Sequence, residues 1–289
     1  MAEPGARLTR RHFVLASALL AAGCARESES PRNAGVTARA QRTVEPSAPA
    51  PAHSLAKESK TVDPAGVVTE LSGRQPTAWG MDIAGIIRNG PADAVALTFD
   101  ACGGPGGSRV DTELIDLLRS RGVKATLFLN KRWIEANLGY ARELAQDPLF
   151  QLANHGTRHC PLSVTGRSAY GIAGTRTVSE AVDEVAANHE YMAQTLGAAP
   201  RYFRAGTAHY DDVGVAACQA FGESPVGFTI NGDAGATFSA DQIIAEVCRA
   251  RGGDIVISHM NQPDGATAEG YREALARLTD AGVTFTHLA

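Results

Sequence analysis

The stretch Ala94-Val-Ala-Leu-Thr-Phe-Asp100-Ala-Cys-Gly-Gly104 decides the fold. Apolar and β-branched residues run unbroken into a carboxylate, and glycines end the run immediately afterwards. A short continuous apolar run bounded by turn residues reads as a strand buried on both faces, and such strands belong to parallel sheets covered by helices. In α/β proteins the ends of those strands present catalytic groups. Asp100 is therefore the first candidate for a catalytic carboxylate.

Similar runs recur at 125–129, 150–154, 201–203, 226–230, 254–258 and 283–287. Between them lie helical patterns near 109–121, 132–146, 177–196, 211–221, 240–251 and 267–281. Strand and helix alternating in this way predict an α/β fold, an incomplete (β/α) barrel with about seven parallel strands. Glu180 in a first turn, Gly197 after a last apolar residue, the Asp211-Asp212 pair and Gly282 mark helix ends. The stretch 160–176 has no period and reads as a long loop over one end of the barrel, where substrate contacts are expected.

Upstream of the barrel the composition changes. Thr9-Arg10-Arg11-His12-Phe13 precedes an apolar run, Val14 to Ala22, too short to span a bilayer. The paired arginines resemble a twin-arginine export signal, and Leu20-Ala-Ala-Gly-Cys24 resembles the lipobox of bacterial lipoproteins. Cys24 would then carry a lipid and begin the mature chain, with simple secretion as the alternative. Residues 25 to about 75 are rich in Ala, Pro and Ser and cannot bury enough apolar surface to offset their ordering entropy. The expected organisation is an export signal over 1–23, a disordered linker over 24–79 and a catalytic domain over 80–289. With 44% hydrophobic and 20% charged residues among 289, one core is the expectation. A net charge of -4 without a basic run makes nucleic acid an unexpected partner.

On a barrel, loops that follow strands share one face, so the polar residues just beyond each strand should converge. They are Asp100, His155, His159, Arg204, Asp233 and His259. His155-Gly-Thr-Arg-His159 sets two imidazoles four apart at a strand end, a spacing that suits a divalent metal. His189 and His209 read as helix surface and loop. Gly103-Gly-Pro-Gly-Gly107 lacks the ending of a phosphate loop, and the absence of Gly-x-Ser-x-Gly argues against a serine esterase. Tyr140, Tyr170, Tyr202, Tyr210 and Phe238 could stack on sugars or pack in the core.

Thr98-Phe-Asp100, His155-xxx-His159, Arg201-Tyr-Phe-Arg204, Asp233 and Ser258-His259 stand in order and at roughly the separations of the polysaccharide deacetylase family. This family is also called the NodB homology domain or carbohydrate esterase family 4. The resemblance covers about residues 90 to 289. It implies an incomplete (β/α) barrel that removes acetyl groups from sugars with a bound divalent metal, often zinc, with cobalt or manganese as alternatives. Position by position, it implies Asp100 as general base, His155 and His159 as metal ligands, and His259 as the acid that protonates the leaving amine. Arg204 would hold the base carboxylate, and Asp233 would orient and tune His259. The implied partners are an acetylated envelope polysaccharide and, through Cys24, a membrane facing the periplasm or cell exterior.

The sequence departs from the family at several points. The family's second aspartate is Ala101, so its metal triad is incomplete. Asp100 itself, a Cys102 thiolate or an additional water would complete it, and the expectation is Asp100 because it sits on a rigid strand end. Cys102 is also expected to lie near Cys160 across the site, where a disulfide would compete with metal ligation; the pairing of Cys102, Cys160, Cys218 and Cys248 stays open. Arg-Pro-Pro becomes Arg204-Ala-Gly206, the Ser or Thr after the first histidine becomes Gly156, and the aromatic beside Asp233 is missing. The rival readings are a non-catalytic glycan-binding lipoprotein on the same barrel and a hydrolase of another C–N bond. The retained Asp100, Arg204, Asp233 and His259 favour the enzyme, because a binder needs no base, clamp and acid.

Overall fold

The computed structural model describes residues 62–289. The export signal over 1–23, Cys24 and the first part of the linker lie outside the described residues.

In chain order the elements are α1 (Pro64–Leu71), β1 (Trp79–Gly80), β2 (Val95–Ala101), α2 (Thr112–Ser120), β3 (Ala125–Leu129), α3 (Lys131–Ala136), α4 (Leu138–Gln146) and β4 (Phe150–Asn154). They continue with α5 (Val178–Leu196), β5 (Tyr202–Phe203), β6 (Tyr210–Asp211), α6 (Asp212–Ala220), β7 (Ser224–Pro225), β8 (Ile230–Asn231), α7 (Ala240–Val247), β9 (Ile255–His259), α8 (Thr267–Asp280) and β10 (Phe285–Thr286). Seven strands follow one parallel path in the order β7-β5-β4-β3-β2-β9-β8, and β10 pairs in parallel with the start of β2. The path curls into a half-barrel, and among the described residues no ladder joins β7 to β8. This is the expected α/β incomplete barrel.

The strand that decides the fold lies in the middle of the path, flanked by β3 and β9, with every residue from Val95 to Ala101 buried. Its alternation sorts the site. Val95, Leu97, Phe99 and Ala101 face the helices in the main core, whereas Ala96 faces the barrel interior with Phe128, Ala153 and Tyr202. Successive strand side chains point to opposite faces, so Asp100 shares the interior face with Ala96. Caps fix the helices that pack outside. Asp111, Thr177 and Asp211 accept backbone N–H groups at the starts of α2, α5 and α6, and Gly197 ends α5 at φ 85°.

The structure corrects several expectations. The linker does not reach residue 79. Asp63 caps α1, and Val67 and Leu71 of that helix bury themselves in a cluster with residues of α5 and α6. Eight residues carrying one i,i+4 apolar pair were too short a signal inside an Ala/Pro/Ser-rich stretch. β1 then pairs antiparallel with β6, so the segment before the expected domain start is part of the fold. The single strand expected over 226–230 is instead two short strands, β7 and β8, at opposite ends of the path. Pro225 can donate no ladder bond, and Gly227 donates to Ile87 rather than to a neighbouring strand of the path. The helix expected over 132–146 breaks at Asn137, whose side chain donates to the Trp133 and Ser108 carbonyls. His189 is not a surface residue: its Nδ1 lies 2.7 Å from Oε1 of buried Glu223.

Candidate active site

All six site residues predicted from sequence come together at the C-terminal ends of the strands. Asp100 ends the interior face of β2 and is 3% exposed. Arg204, the residue after β5, is fully buried; its Nη1 donates to Asp100 Oδ1 at 2.7 Å and its Nη2 to the Gly227 carbonyl at 3.1 Å. The guanidinium lies over the Phe128 ring, with Cζ 4.1 Å from the ring centre, a weakly hydrated cation suited to a buried pair. Burial alone would raise the Asp100 carboxyl, but Arg204 and the nearby His155 and His259 outweigh it and hold the group below its ordinary range. Asp100 is therefore kept ionised and fixed in place.

His259 ends β9, whose register sets it directly beside Asp100. Asp233, in the loop after β8, accepts from the His259 ring at Nδ1 (2.8 Å), from its backbone N–H (2.7 Å) and from Thr267 Oγ1 (3.1 Å). Burial works to lower the His259 pKa, but the Asp233 carboxylate prevails and raises it well above the usual imidazole value. Asp100 and His259 both line a cleft of about 360 Å³, whose walls include Met81, Tyr170, Ile172 and Phe228. Of the five aromatics considered for sugar stacking, Tyr170 lines this cleft and is 76% exposed, while Tyr202 and Tyr210 are buried in the core. Tyr140 and Phe238 pack against the main core.

Of the three residues expected to ligate a metal, His155 and His159 stand together with a third group that is not Asp100. The ligand atoms of Cys102, His155 and His159 lie within 4.8 Å of one another, and Asp100 is not a member of that group. Strand alternation explains the difference, because position 102 returns to the face of Asp100 whereas Ala101 is buried among the helices. All four cysteines among the described residues are free thiols, so of the two roles left open for Cys102 the disulfide to Cys160 is not formed.

The donor set fits a divalent metal. His155 Nδ1 lies 2.8 Å from the Arg204 carbonyl, so that nitrogen carries the proton and Nε2 presents its lone pair. Around Nε2 stand Asp100 Oδ2 at 3.5 Å and Cys102 Sγ at 3.8 Å. Such a convergence of acceptors suits a shared proton or a metal ion among them. Burial would raise the Cys102 thiol, yet His155, His159 and His259 hold it well below its usual value, and a thiolate is the form that ligates.

One supporting residue was missed from sequence. Glu184, on α5 and 1% exposed, accepts the backbone N–H groups of Thr157, Arg158 and Cys160 and so pins the loop that carries His159. Its only signal was an acidic residue in the buried stripe of α5. Glu184 also explains a departure from the family. A Cβ at Gly156, where φ is 76°, would lie 2.4 Å from Glu184 Oε1, so a Ser or Thr there would be strained and would displace the Glu184 carboxylate. The Arg204-Ala-Gly206 departure has a similar cause. His159 adopts φ 66°, and a Cβ at Gly206 would lie 2.3 Å from the His159 carbonyl oxygen. The Gly206 N–H also donates to the Cys160 carbonyl at 3.2 Å, which a proline could not do. Gly206→Pro, which restores the family residue, is expected to cost about 3 kcal/mol or more. Chemical denaturation of the variant checks this, and an unchanged midpoint would refute it.

With this geometry established, the comparisons with known proteins define the class. Residues 87–225 match the family model for polysaccharide deacetylase. Among curated proteins, the uncharacterised YlxY of Bacillus subtilis (strain 168) is 30% identical over 93 residues, which is 32% of this chain and 25% of that protein. The chain thus spans about a quarter of the length of the curated relative it matches. Among solved structures, a family 4 carbohydrate esterase pseudoenzyme from Bacillus anthracis aligns with a TM-score of 0.59 at 22% identity, covering 71% of this chain and 68% of that one. A family 4 carbohydrate esterase from Streptomyces lividans, in complex with acetate, aligns with a TM-score of 0.56 at 23% identity, covering 68% of this chain and 93% of that one. At these identities the likeness is one of fold. Residues 87–225 carry the polysaccharide deacetylase family match, as a divergent sequence without the second aspartate of the first motif.

Proposed function

We propose that this protein is a metal-dependent hydrolase that removes N-acetyl groups from a polysaccharide of the cell envelope or exterior. The observation that carries the reading is a base and an acid on one cleft, each with a partner of its own: Asp100 held by Arg204 and His259 held by Asp233. His155 and His159 would hold the ion, which when bound supplies Lewis acidity towards the acyl oxygen and makes water acidic near neutral pH. Asp100, kept ionised by Arg204, accepts the proton of the attacking water. His259, kept protonated by Asp233, delivers a proton to the departing amine nitrogen. Acid and base on separate supports divide the two proton transfers. Phe128 and the buried Arg204 exclude bulk solvent from behind the carboxylate, which strengthens these interactions.

The cleft walls support a sugar ligand, since Met81, Tyr170 and Phe228 offer apolar surface above a polar floor. Tyr170→Ala is expected to raise KM severalfold with little change in kcat, because its ring lies far out on the rim; an unaltered KM would remove it from the binding surface. The reading also includes export and lipid attachment at Cys24. Cys24→Ser should move the protein from the membrane fraction to the soluble fraction, and unchanged membrane association would dismiss the anchor.

A second reading, a non-catalytic glycan binder, is favoured by Ala101 in the seat of the missing aspartate. The two are separated by metal analysis together with acetate release from acetylated chito-oligosaccharides and peptidoglycan. Metal content and acetate release support the hydrolase. Protein that is metal-free and stays inactive after addition of zinc, cobalt or manganese overturns it.

A further inference from the structure

We propose that Cys102 is the third protein ligand of the metal centre, making it a Cys-His-His site that prefers zinc or cobalt to manganese or magnesium. The proposal rests on the metal-dependent reading above and names the residue that completes it. Position 101 cannot contribute, because its methyl side chain is fully buried in the helix-facing core. Asp100 is already engaged. Its Oδ1 accepts from Arg204, and its role as base requires the carboxylate to remain free to take a proton.

Cys102 stands where a ligand is needed. Its Sγ lies 3.8 Å from His155 Nε2, and the three ligand atoms of Cys102, His155 and His159 fall within 4.8 Å of one another. Tetrahedral zinc, with Zn–S of about 2.3 Å and Zn–N of about 2.0 Å, implies ligand separations of about 3.5 Å, so modest side-chain adjustment closes the group. The two histidines are supported independently. The Arg204 carbonyl fixes the tautomer of His155, and Glu184 fixes the loop of His159. Three protein ligands with an open fourth position are the pattern of a catalytic rather than a structural zinc site. A thiolate in place of a carboxylate shifts preference towards softer ions, since carboxylates suit manganese and magnesium while thiolates select zinc.

Cobalt titration of the metal-stripped whole chain, followed by absorption spectroscopy, tests the assignment directly. The expected spectrum contains a thiolate-to-cobalt charge-transfer band in the near ultraviolet alongside visible d–d bands. Cys102→Ser should lose the charge-transfer band and weaken zinc binding by more than about tenfold, the lower end of what even outer-sphere partners cost. Cys102→Asp should lose the band, still bind cobalt, and take up manganese more readily than the parent. Thiol modification provides a second readout, with zinc slowing modification of one cysteine in the parent and of none in Cys102→Ser. Cobalt bound with d–d bands alone would overturn the thiolate ligand while leaving the metal-dependent reading intact. No cobalt binding would overturn both. A charge-transfer band without acetate release would uphold the ligand and sink the deacetylase reading.

Discussion

Asp100→Asn is expected to lower kcat/KM for acetate release by roughly 10²–10⁴-fold, the usual contribution of a positioned general base. The amide keeps the shape of the carboxylate and an oxygen for Arg204 Nη1, which now sits 2.7 Å from Oδ1. It cannot take a proton from water at any working pH. The substitution also leaves the fully buried guanidinium without its counter-charge, and breaking a buried pair costs about 3–5 kcal/mol. The measurement therefore couples steady-state kinetics to thermal melting and circular dichroism. A folded variant that has lost turnover supports the assignment, whereas a folded variant that keeps it removes Asp100 from the role of base.

Asp233→Asn has the second largest expected effect, and its signature is a pH profile. In the parent, the Asp233 carboxylate raises the pKa of His259 well above the ordinary imidazole value, so the acid form persists past neutrality. Rate should fall only as pH rises through that elevated pKa. Asp100 is held below the ordinary carboxylate range, so the acid limb should lie at low pH. Replacing Asp233 by Asn removes the charge that raises His259. The alkaline limb should then move to lower pH while the acid limb stays, with kcat at pH 8 falling by up to about tenfold for each unit by which the His259 pKa drops below pH 8. An alkaline limb that does not move would show that Asp233 does not tune His259. Because Asp233 also accepts the His259 backbone N–H and the Thr267 hydroxyl, a stability check belongs with the profile.

The architecture was legible because it rests on local signals. Apolar runs such as Val95–Ala101 and Ala125–Leu129 are buried on both faces and have few alternatives to a strand in a parallel sheet. The same local logic failed where partners are distant. Residues 64–71 look like linker until α5 and α6 offer Val67 and Leu71 a place to bury. Residues 226–230 look like one strand until the curl of the sheet carries β7 and β8 to opposite ends of the path. The six polar site residues were found because strand ends on a barrel share one face. Glu184 was not, because an acidic residue within the apolar stripe of α5 says that a carboxylate is buried but not which distant backbone groups it holds.

The run from Ala94 to Gly104 by itself determined that a carboxylate stands at the end of a central strand, since hydrophobic burial and the glycine break depend on residues adjacent in the chain. What surrounds that carboxylate was decided only by the tertiary structure. Arg204 reaches Asp100 across 104 positions of sequence, and Asp233 reaches His259 across 26. Cys102 joins His155 and His159, and Gly156 and Gly206 make room for Glu184 and the left-handed His159. These relations depend on side-chain direction and on backbone approaches of a few ångströms, which the curl of the sheet sets and no local pattern encodes.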